Sequence, residues 1–370
     1  MSLLPSPEPR TTPVWDLFVR LFHWGLAATV GVAAVTGFFG GAGRLQGHLT
    51  AGLIAAALVL ARMVWGFCGP THARFADFVP SPAALRAHLR AEDGRHLGHN
   101  PLGALMVLAV LAAVLVLAVT GLLMLGGMFR IGPFAAGTSF AAGWGAREWH
   151  ETLAIGVLGL IALHLGGVAF ESRRSRENLA RAMLDGRKEL RPGDAPAAEI
   201  PARPVLAFTL LAGLGAALVA GNAVLAARPV PGQPVAQIDP VTAAECGACH
   251  MVYHPSLLPR AGWQALIAGL PSHFGEDASL APATAREIEG WLTAHAAETT
   301  ETLPAKLFAR TAPEAPFTIT ATRAWARLHE DLPEALFRTK PVGSRANCAA
   351  CHPDAVSGRF SPFALSIPKE

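Results

Sequence analysis

Five long apolar runs constrain what this chain can fold into. They lie at about Leu17–Gly40, Leu49–Phe67, Leu102–Leu125, Trp149–Phe170 and Val205–Ala226. Each approaches or exceeds the ~20 residues that a helix needs to cross a bilayer. Inside lipid, backbone polar groups must be satisfied within their own segment, so the runs are predicted to be helices. The second is the least regular, because Arg62 interrupts it. Hydrophobic residues make up 52% of the 370 and charged residues 15%, which is too apolar for an ordinary soluble chain. The length also leaves room for a second domain. No phosphate-binding glycine loop and no basic nucleic-acid motif occurs, so no nucleic-acid partner is expected.

Lys and Arg set the orientation, because they concentrate in cytoplasmic loops. The loop after the second run carries Arg74, Arg86, Arg90 and Arg95. The segment after the fourth carries Arg173, Arg174, Arg176, Arg181, Arg187, Lys188, Arg191 and Arg203. The opposite loops carry only Arg44, Arg130 and Arg147. The N-terminus is therefore expected in the cytoplasm and everything after about Arg228 in the periplasm. Residues 1–16 are Pro-rich and polar and are expected to be loose, with no cleavable signal ahead of the first run. The fifth run has two readings. It is an anchor, or it is an export signal with small residues near a cleavage point at Ala226. The uncleaved anchor is the expectation.

The fourth run holds a histidine near each end, His150 and His164, fourteen residues apart. At ~1.5 Å rise per residue that is ~21 Å, and both rings point to nearly the same face. His23 lies early in the first run and His48 at the start of the second. By depth, His23 matches His164 near the cytoplasmic surface, and His48 matches His150 near the outer one. Polar side chains bonding to neighbouring helices would also account for single histidines. Four that fall into two depth-matched pairs point instead to two haems b, each clamped axially from two helices.

Other polar residues carry less. Arg20 and Arg44 lie near the inner and outer pairs, where either could hold a haem propionate or simply snorkel to the surface. Arg62 lies deeper and has no evident partner. His72, His88, His96 and His99 fall in the polar loop after the second run and are expected to be solvated. Cys68 is a lone cysteine at a helix end, expected to be structural.

The stretches VWDLFVRLFHWG, GHLTAGL, ARMVWGFCGPTHARFADFVPSP, GHNPLGAL, EWHETLA and ALHLGGVAFES resemble the bacterial cytochrome b561 family. That family includes the b-type subunits of nickel–iron hydrogenases. The resemblance spans about residues 12–190. It implies a four-helix bundle with two haems b that exchange electrons with quinone. It also carries the haem ligands onto His23, His48, His150 and His164. The fifth run and the tail depart from that pattern.

Residues 228–370 contain ECGACH and ANCAACH, two copies of the C-x-x-C-H signature of covalent haem attachment. Cys246, Cys249 and His250 would hold one haem c, and Cys348, Cys351 and His352 the other. A four-cysteine zinc site would need much closer pairs, and a redox dithiol does not require the following histidine. Candidate distal ligands are Met251, His254, His273, His295 and His329. Met251 and His254 lie too near the first proximal histidine to wrap round easily. His295 follows a predicted helix, Thr284–Ala294, and reads as a surface residue. His273 and His329 are the choice. The tail also resembles the dihaem cytochrome c family that donates electrons to the oxygen-binding sphaeroides haem protein type. That resemblance implies two bis-histidine haems and favours the same two residues. The tail has 12 Lys plus Arg against 14 Asp plus Glu, which suits a soluble partner with a basic face.

The expected fold is all-α: a transmembrane four-helix haem b bundle, a fifth anchoring helix, and a small, mostly α dihaem cytochrome c domain. The domain limits are 1–16, 17–190, 191–227 and 228–370. The expected function is a tetrahaem conduit in the bacterial inner membrane. Electrons pass from quinol (ubiquinone or menaquinone pool) or a partner dehydrogenase, through two haems b and two haems c, to a soluble periplasmic cytochrome or other acceptor. The reverse direction and a terminal reductase with one open c haem are the alternatives. The protein is an oxidoreductase if quinol is oxidised in the bundle, and otherwise a carrier.

Overall fold

The computed structural model describes residues 10–90, 92, 95–194, 198–311 and 315–368. Five helices are long and apolar enough to cross a membrane. They are α1 (Leu17–Phe39), α2 (Leu45–Cys68), α5 (Pro101–Phe129), α6 (Phe140–Ser175) and α8 (Pro204–Ala226). Two short helices, α3 (Phe75–Phe78) and α4 (Pro82–Leu89), fill the loop between α2 and α5, and α7 (Leu179–Asp185) follows α6. Their limits are chemical. Asp16 caps α1 by accepting from Val19 N at 3.1 Å, Ser81 caps α4 ahead of Pro82, and Asn178 caps α7, which ends on Gly186 at φ 80°. Arg62 does not interrupt α2, which runs unbroken through it with the side chain buried. α6 has 36 residues, about 54 Å of helix, well beyond a ~30 Å hydrocarbon core.

The chain divides into two compact units. The first takes in residues up to Gly40, Gln46–Thr120 and Glu148–Ala220. Its core is Phe22 and Leu26 of α1, Ala55 and Val59 of α2, and Leu111 and Val114 of α5. Large apolar side chains such as Leu21, Val35, Ile54, Val119, Leu163 and Phe208 face outward, as a lipid-facing surface requires. The segment at 10–16 is not loose. Thr11–Pro13 forms strand β1, which pairs antiparallel with β2 (Arg187–Glu189), Thr12 opposite Lys188. Val14 and Trp15 are buried against Val19, Ala73 and Ala182.

The second unit comprises Gly41–Leu45, Gly121–Arg147 and Gly221–Glu370. Here the end of α5 meets the start of α6 backbone to backbone. A Cβ on Gly127 would come 2.6 Å from the Gly143 Cα, so neither position admits a side chain. The C-terminal part is built from short helices: α9 (Pro240–Cys246), α10 (Arg260–Ala268), α11 (Pro282–Ala294), α12 (Leu303–Phe308) and α13 (Arg323–Leu328). One core gathers Leu258, Trp263, Ile288 and Leu292, and another Leu257, Phe308, Trp325 and Phe337. Tyr253 packs against both. Its hydroxyl donates to the Ala346 carbonyl at 2.7 Å, so the chain's single tyrosine ties the two C-x-x-C-H segments together.

Candidate functional site

Among the described residues five histidine pairs have ring centres within 6.4 Å. They are His88 and His96 of the loop after α2, at 5.8 Å, and four pairs that match the sequence-predicted ligands. In the first unit, His23 of α1 faces His164 of α6 with ring centres 6.2 Å apart. His48 of α2 faces His150 of α6 at 6.0 Å. In the second unit, His250 faces His273 at 6.2 Å, and His329 faces His352 at 6.4 Å. Two imidazoles bound to opposite sides of one metal ion stand roughly 6.3 Å apart, from two bonds of ~2.0 Å and about 1.1 Å from each nitrogen to its ring centre. All four separations match that value.

Hydrogen bonds fix the tautomers. His48 Nδ1 donates to the Ala33 carbonyl at 2.8 Å. His150 Nδ1 donates to Thr120 Oγ1 at 3.0 Å, because the hydroxyl itself donates to the Val116 and Leu117 carbonyls. His250 Nδ1 donates to the Met251 carbonyl at 2.7 Å and His329 Nδ1 to the Trp325 carbonyl at 2.8 Å. Each bond leaves Nε2 with a free lone pair, as an outer partner does for a metal-bound histidine. His23, His273 and His352 each have a buried Nδ1 with no partner. Burial, and the facing His250, lower the His273 pKa. Burial and the facing His329 do the same to His352. Both shifts favour the neutral form, the form that ligates.

Packing holds the rings in place. A Cβ on Gly37 would lie 3.0 Å from His48 Cε1. His329 stacks on Trp325 at 4.5 Å and 18°, and the guanidinium of Arg345 lies over the other ring system at 5.4 Å from the Trp325 centre. His273 sits in a tight turn that exchanges backbone bonds with Glu276, through Phe274 at φ 53° and Gly275 at φ 98°.

Cys246, Cys249, Cys348 and Cys351 form no disulfide. Burial pushes the Cys246, Cys348 and Cys351 thiols up. The donor set also speaks to the group it would hold. Among the described residues, no cluster of three or more His, Cys, Asp or Glu could enclose a bare metal ion. Two axial nitrogens per pair, with the remaining positions left to a planar macrocycle, fit haem.

The other candidates fall elsewhere. His254 is fully buried. Its Nδ1 accepts from the Ser256 amide and its Nε2 donates to the Val235 carbonyl at 3.0 Å, so neither nitrogen is free. His295 donates to the Trp291 carbonyl and packs on that ring, and Met251 contributes its carbonyl to His250. Arg20 Nη1 donates to the Leu184 carbonyl, and Arg44 is exposed. Cys68 is buried at the end of α2. The loop histidines are not solvated as expected. All four are half-buried, and His99 lies between Trp15 and Phe78 with its pKa pushed down to about 3, chiefly by burial. The loop folds over the end of the bundle, which its polar sequence conceals. Thr120 escaped the sequence reading, although it is the one polar side chain in α5. That isolation was the signal.

Residues 14–186 match the family model of prokaryotic cytochrome b561, and residues 242–360 match that of dihaem cytochrome c. The chain is a cytochrome b561 domain joined to a dihaem cytochrome c-like domain. The b561 domain is 34% identical over 120 residues to the probable Ni/Fe-hydrogenase B-type cytochrome subunit of Cupriavidus necator, an alignment covering 25% of this chain and 49% of that protein. It is 25% identical over 223 residues to the namesake from Bradyrhizobium diazoefficiens, covering 49% of this chain and 87% of that one. The chain thus spans about half the length of the first of these relatives. The c-type domain is similar to the solved diheme cytochrome c from Rhodobacter sphaeroides, at 39% identity over 34% of this chain and 98% of that one, with a TM-score of 0.29. It is also similar to a diheme cytochrome type c from Shewanella baltica, at 35% identity over 35% of this chain and 92% of that one, TM-score 0.29. The b561 domain implies haem b and the c-type domain haem c. The five apolar helices and the b561 match make the chain an integral membrane protein.

Proposed function

We propose that this protein is a tetrahaem electron conduit of the bacterial inner membrane. When bound, two haems b and two haems c supply one-electron chemistry between quinol or a partner dehydrogenase and a soluble periplasmic acceptor. The observation that carries the reading is the common separation of the four histidine pairs, 6.0 to 6.4 Å.

In this reading His23 with His164, and His48 with His150, would hold the two haems b. His250 with His273, and His352 with His329, would hold the two haems c. Cys246, Cys249, Cys348 and Cys351 form the thioether bonds. Ala33 and Thr120 hold the outer b ligands in the Nε2-ligating tautomer. Two histidines holding each haem would suit outer-sphere electron transfer and disfavour a terminal reductase. A partner dehydrogenase is favoured by the hydrogenase-linked names of the b561 relatives. The Arg-rich loops favour a cytoplasmic N-terminus, and thiol attachment of haem favours a periplasmic C-terminal domain anchored by an uncleaved α8.

A pyridine haemochrome spectrum of the purified protein, with haem staining after denaturation, tests the reading. About two b and two c haems per chain, with stain at full length, are expected. Haem c alone would leave the bundle histidines structural. Rapid mixing with a quinol should then reduce b before c. Reduction of c first by a soluble donor would reverse the direction.

A further inference from the structure

Arg62 has no place in the conduit described so far. It is 2% exposed, inside a helix, and its Nη1 is buried without a hydrogen-bond partner among the described residues. Its guanidinium lies 5.5 Å from the ring centre of Phe75 and 5.6 Å from that of Phe78. The carboxylate of Asp16 is committed elsewhere, to Val19 N at 3.1 Å and Trp65 Nε1 at 3.2 Å. A guanidinium buried against ring faces has lost its water and gained little in return. Such a group calls for an anion.

A second orphan donor lies beside it. His99 packs on the same Phe78 ring, 4.7 Å away, and on Trp15 at 4.6 Å. Its Nδ1 is also buried without a partner. His99 sits in the electrostatic field of both Arg62 and His164, so it links the arginine to the His23–His164 pair. Depth agrees. His23 lies six residues after the start of α1 and Arg62 six before the end of α2, each about 9 Å from the helix end on the same side.

We propose that Arg62 and His99 form the anion site that receives a propionate carboxylate of the haem b held between His23 and His164. The inference rests on the assignment of that pair as ligands. A haem b carries two carboxylates on one edge, and a guanidinium offers a carboxylate two parallel N–H donors. His99 supplies one further N–H. Arg20 also has a buried Nε without a partner, but it is less suited to paired donation, since its Nη1 is already spent on the Leu184 carbonyl. An isolated arginine would merely be strained; an arginine and a histidine sharing one aromatic wall beside a ligand pair make a built site.

Resonance Raman spectra of the full-length haem-loaded protein test this, excited at the reduced haem b band, for wild type, Arg62→Gln, Arg62→Lys and His99→Phe. The propionate-bending band of one haem b is expected to shift in Arg62→Gln, and less in His99→Phe, with the other haem b unmoved. Arg62→Lys keeps a charge and loses the paired donors, so it should retain the haem and still shift the band. If Arg62→Gln fails to assemble, the lysine variant decides alone. An unmoved band with both haems b present overturns the proposal. An unmoved band with at least tenfold weaker binding of a quinone analogue overturns it in favour of a quinone head-group site. Retention of both haems b in His23→Ala would instead overturn the ligand assignment beneath it.

Discussion

Arg130 donates from Nε to the backbone carbonyl of Glu301 at 2.9 Å, across 171 residues of chain. Its Nη1 donates to the Thr138 carbonyl at 2.6 Å, and its Nη2 faces the Glu301 carboxylate at 3.5 Å. The side chain is 4% exposed on a residue held at φ 56°, and Gln233 donates back to its carbonyl. One arginine thus ties the α5–α6 loop to the c-type domain. A charge-assisted hydrogen bond contributes about 1.5–3 kcal/mol. Arg130→Ala should therefore loosen the attachment without loss of either haem type. Limited proteolysis of the connector after α8 should be faster in the variant. Equal cleavage rates would show that other contacts hold the domain.

The His48–His150 pair differs from the His23–His164 pair: both of its histidines have Nδ1 partners, whereas the His23 Nδ1 has none. A partner on Nδ1 raises the basicity of the ligating nitrogen and favours the oxidised metal. Thr120→Val removes the acceptor for His150 and should raise the midpoint potential of one haem b while the other stays put. Gly37→Ala should act on the same haem, because its Cβ must displace the His48 ring. Crowding of this kind costs about 1–3 kcal/mol. A potentiometric titration of the b haems checks both. Movement of both haems together, or of neither, would dissociate Thr120 and Gly37 from a single site.

Much of this was legible in the sequence, and the reason differs by residue. His150 and His164 share a face because a helix has a fixed rise and turn, so depth pairing from sequence and adjacency in the structure agree. The C-x-x-C-H segments are local and need no tertiary knowledge. What stayed hidden depends on long-range packing. Thr11–Pro13 pairs with Arg187–Glu189, two polar triplets with no alternation to announce a strand. His99 reads as a loop residue, yet Trp15 and Phe78 close over it from distant parts of the chain. Arg130 looks like an interfacial arginine until Glu301 arrives.

Lys188 gives the surface network around β2 a pH signature. It is 7% exposed, donates to the His96 carbonyl at 3.4 Å and lies 3.7 Å from Glu177, a carboxylate it shares with Arg95. Burial first, then the charge of Arg95, push its pKa down to about 8 from 10.5. Between those values the unfolded chain binds the proton and the folded chain does not. Stability should therefore rise with pH from about 8 to 10.5, by up to about 3 kcal/mol, and be flat in this group below 8. Lys188→Met should remove that slope. Thermal melts of the detergent-solubilised protein across this range check it, and an identical slope in both proteins would assign the effect elsewhere.

His273 and His329 carry the choice between a carrier and a reductase. Each faces a C-x-x-C-H histidine at 6.2 or 6.4 Å, and each is held differently. His329 is stacked on Trp325 and bonded to its carbonyl, whereas His273 rides on a strained turn with an unpartnered Nδ1. The wild-type protein, once reduced, should bind no carbon monoxide. His273→Ala and His329→Ala should each open one haem c to it, converting one low-spin signal to high spin, with covalent haem c content unchanged. His254→Ala should open neither, because both nitrogens of that ring are already bonded to Ser256 and Val235, but it should lower stability. The firmer hold on His329 also predicts an order. Under mild heating or denaturant, carbon monoxide should enter first at the haem of Cys246 and Cys249. Binding to the untreated wild-type protein would mean that one of the two pairs is not closed, and the reductase reading would then replace the conduit.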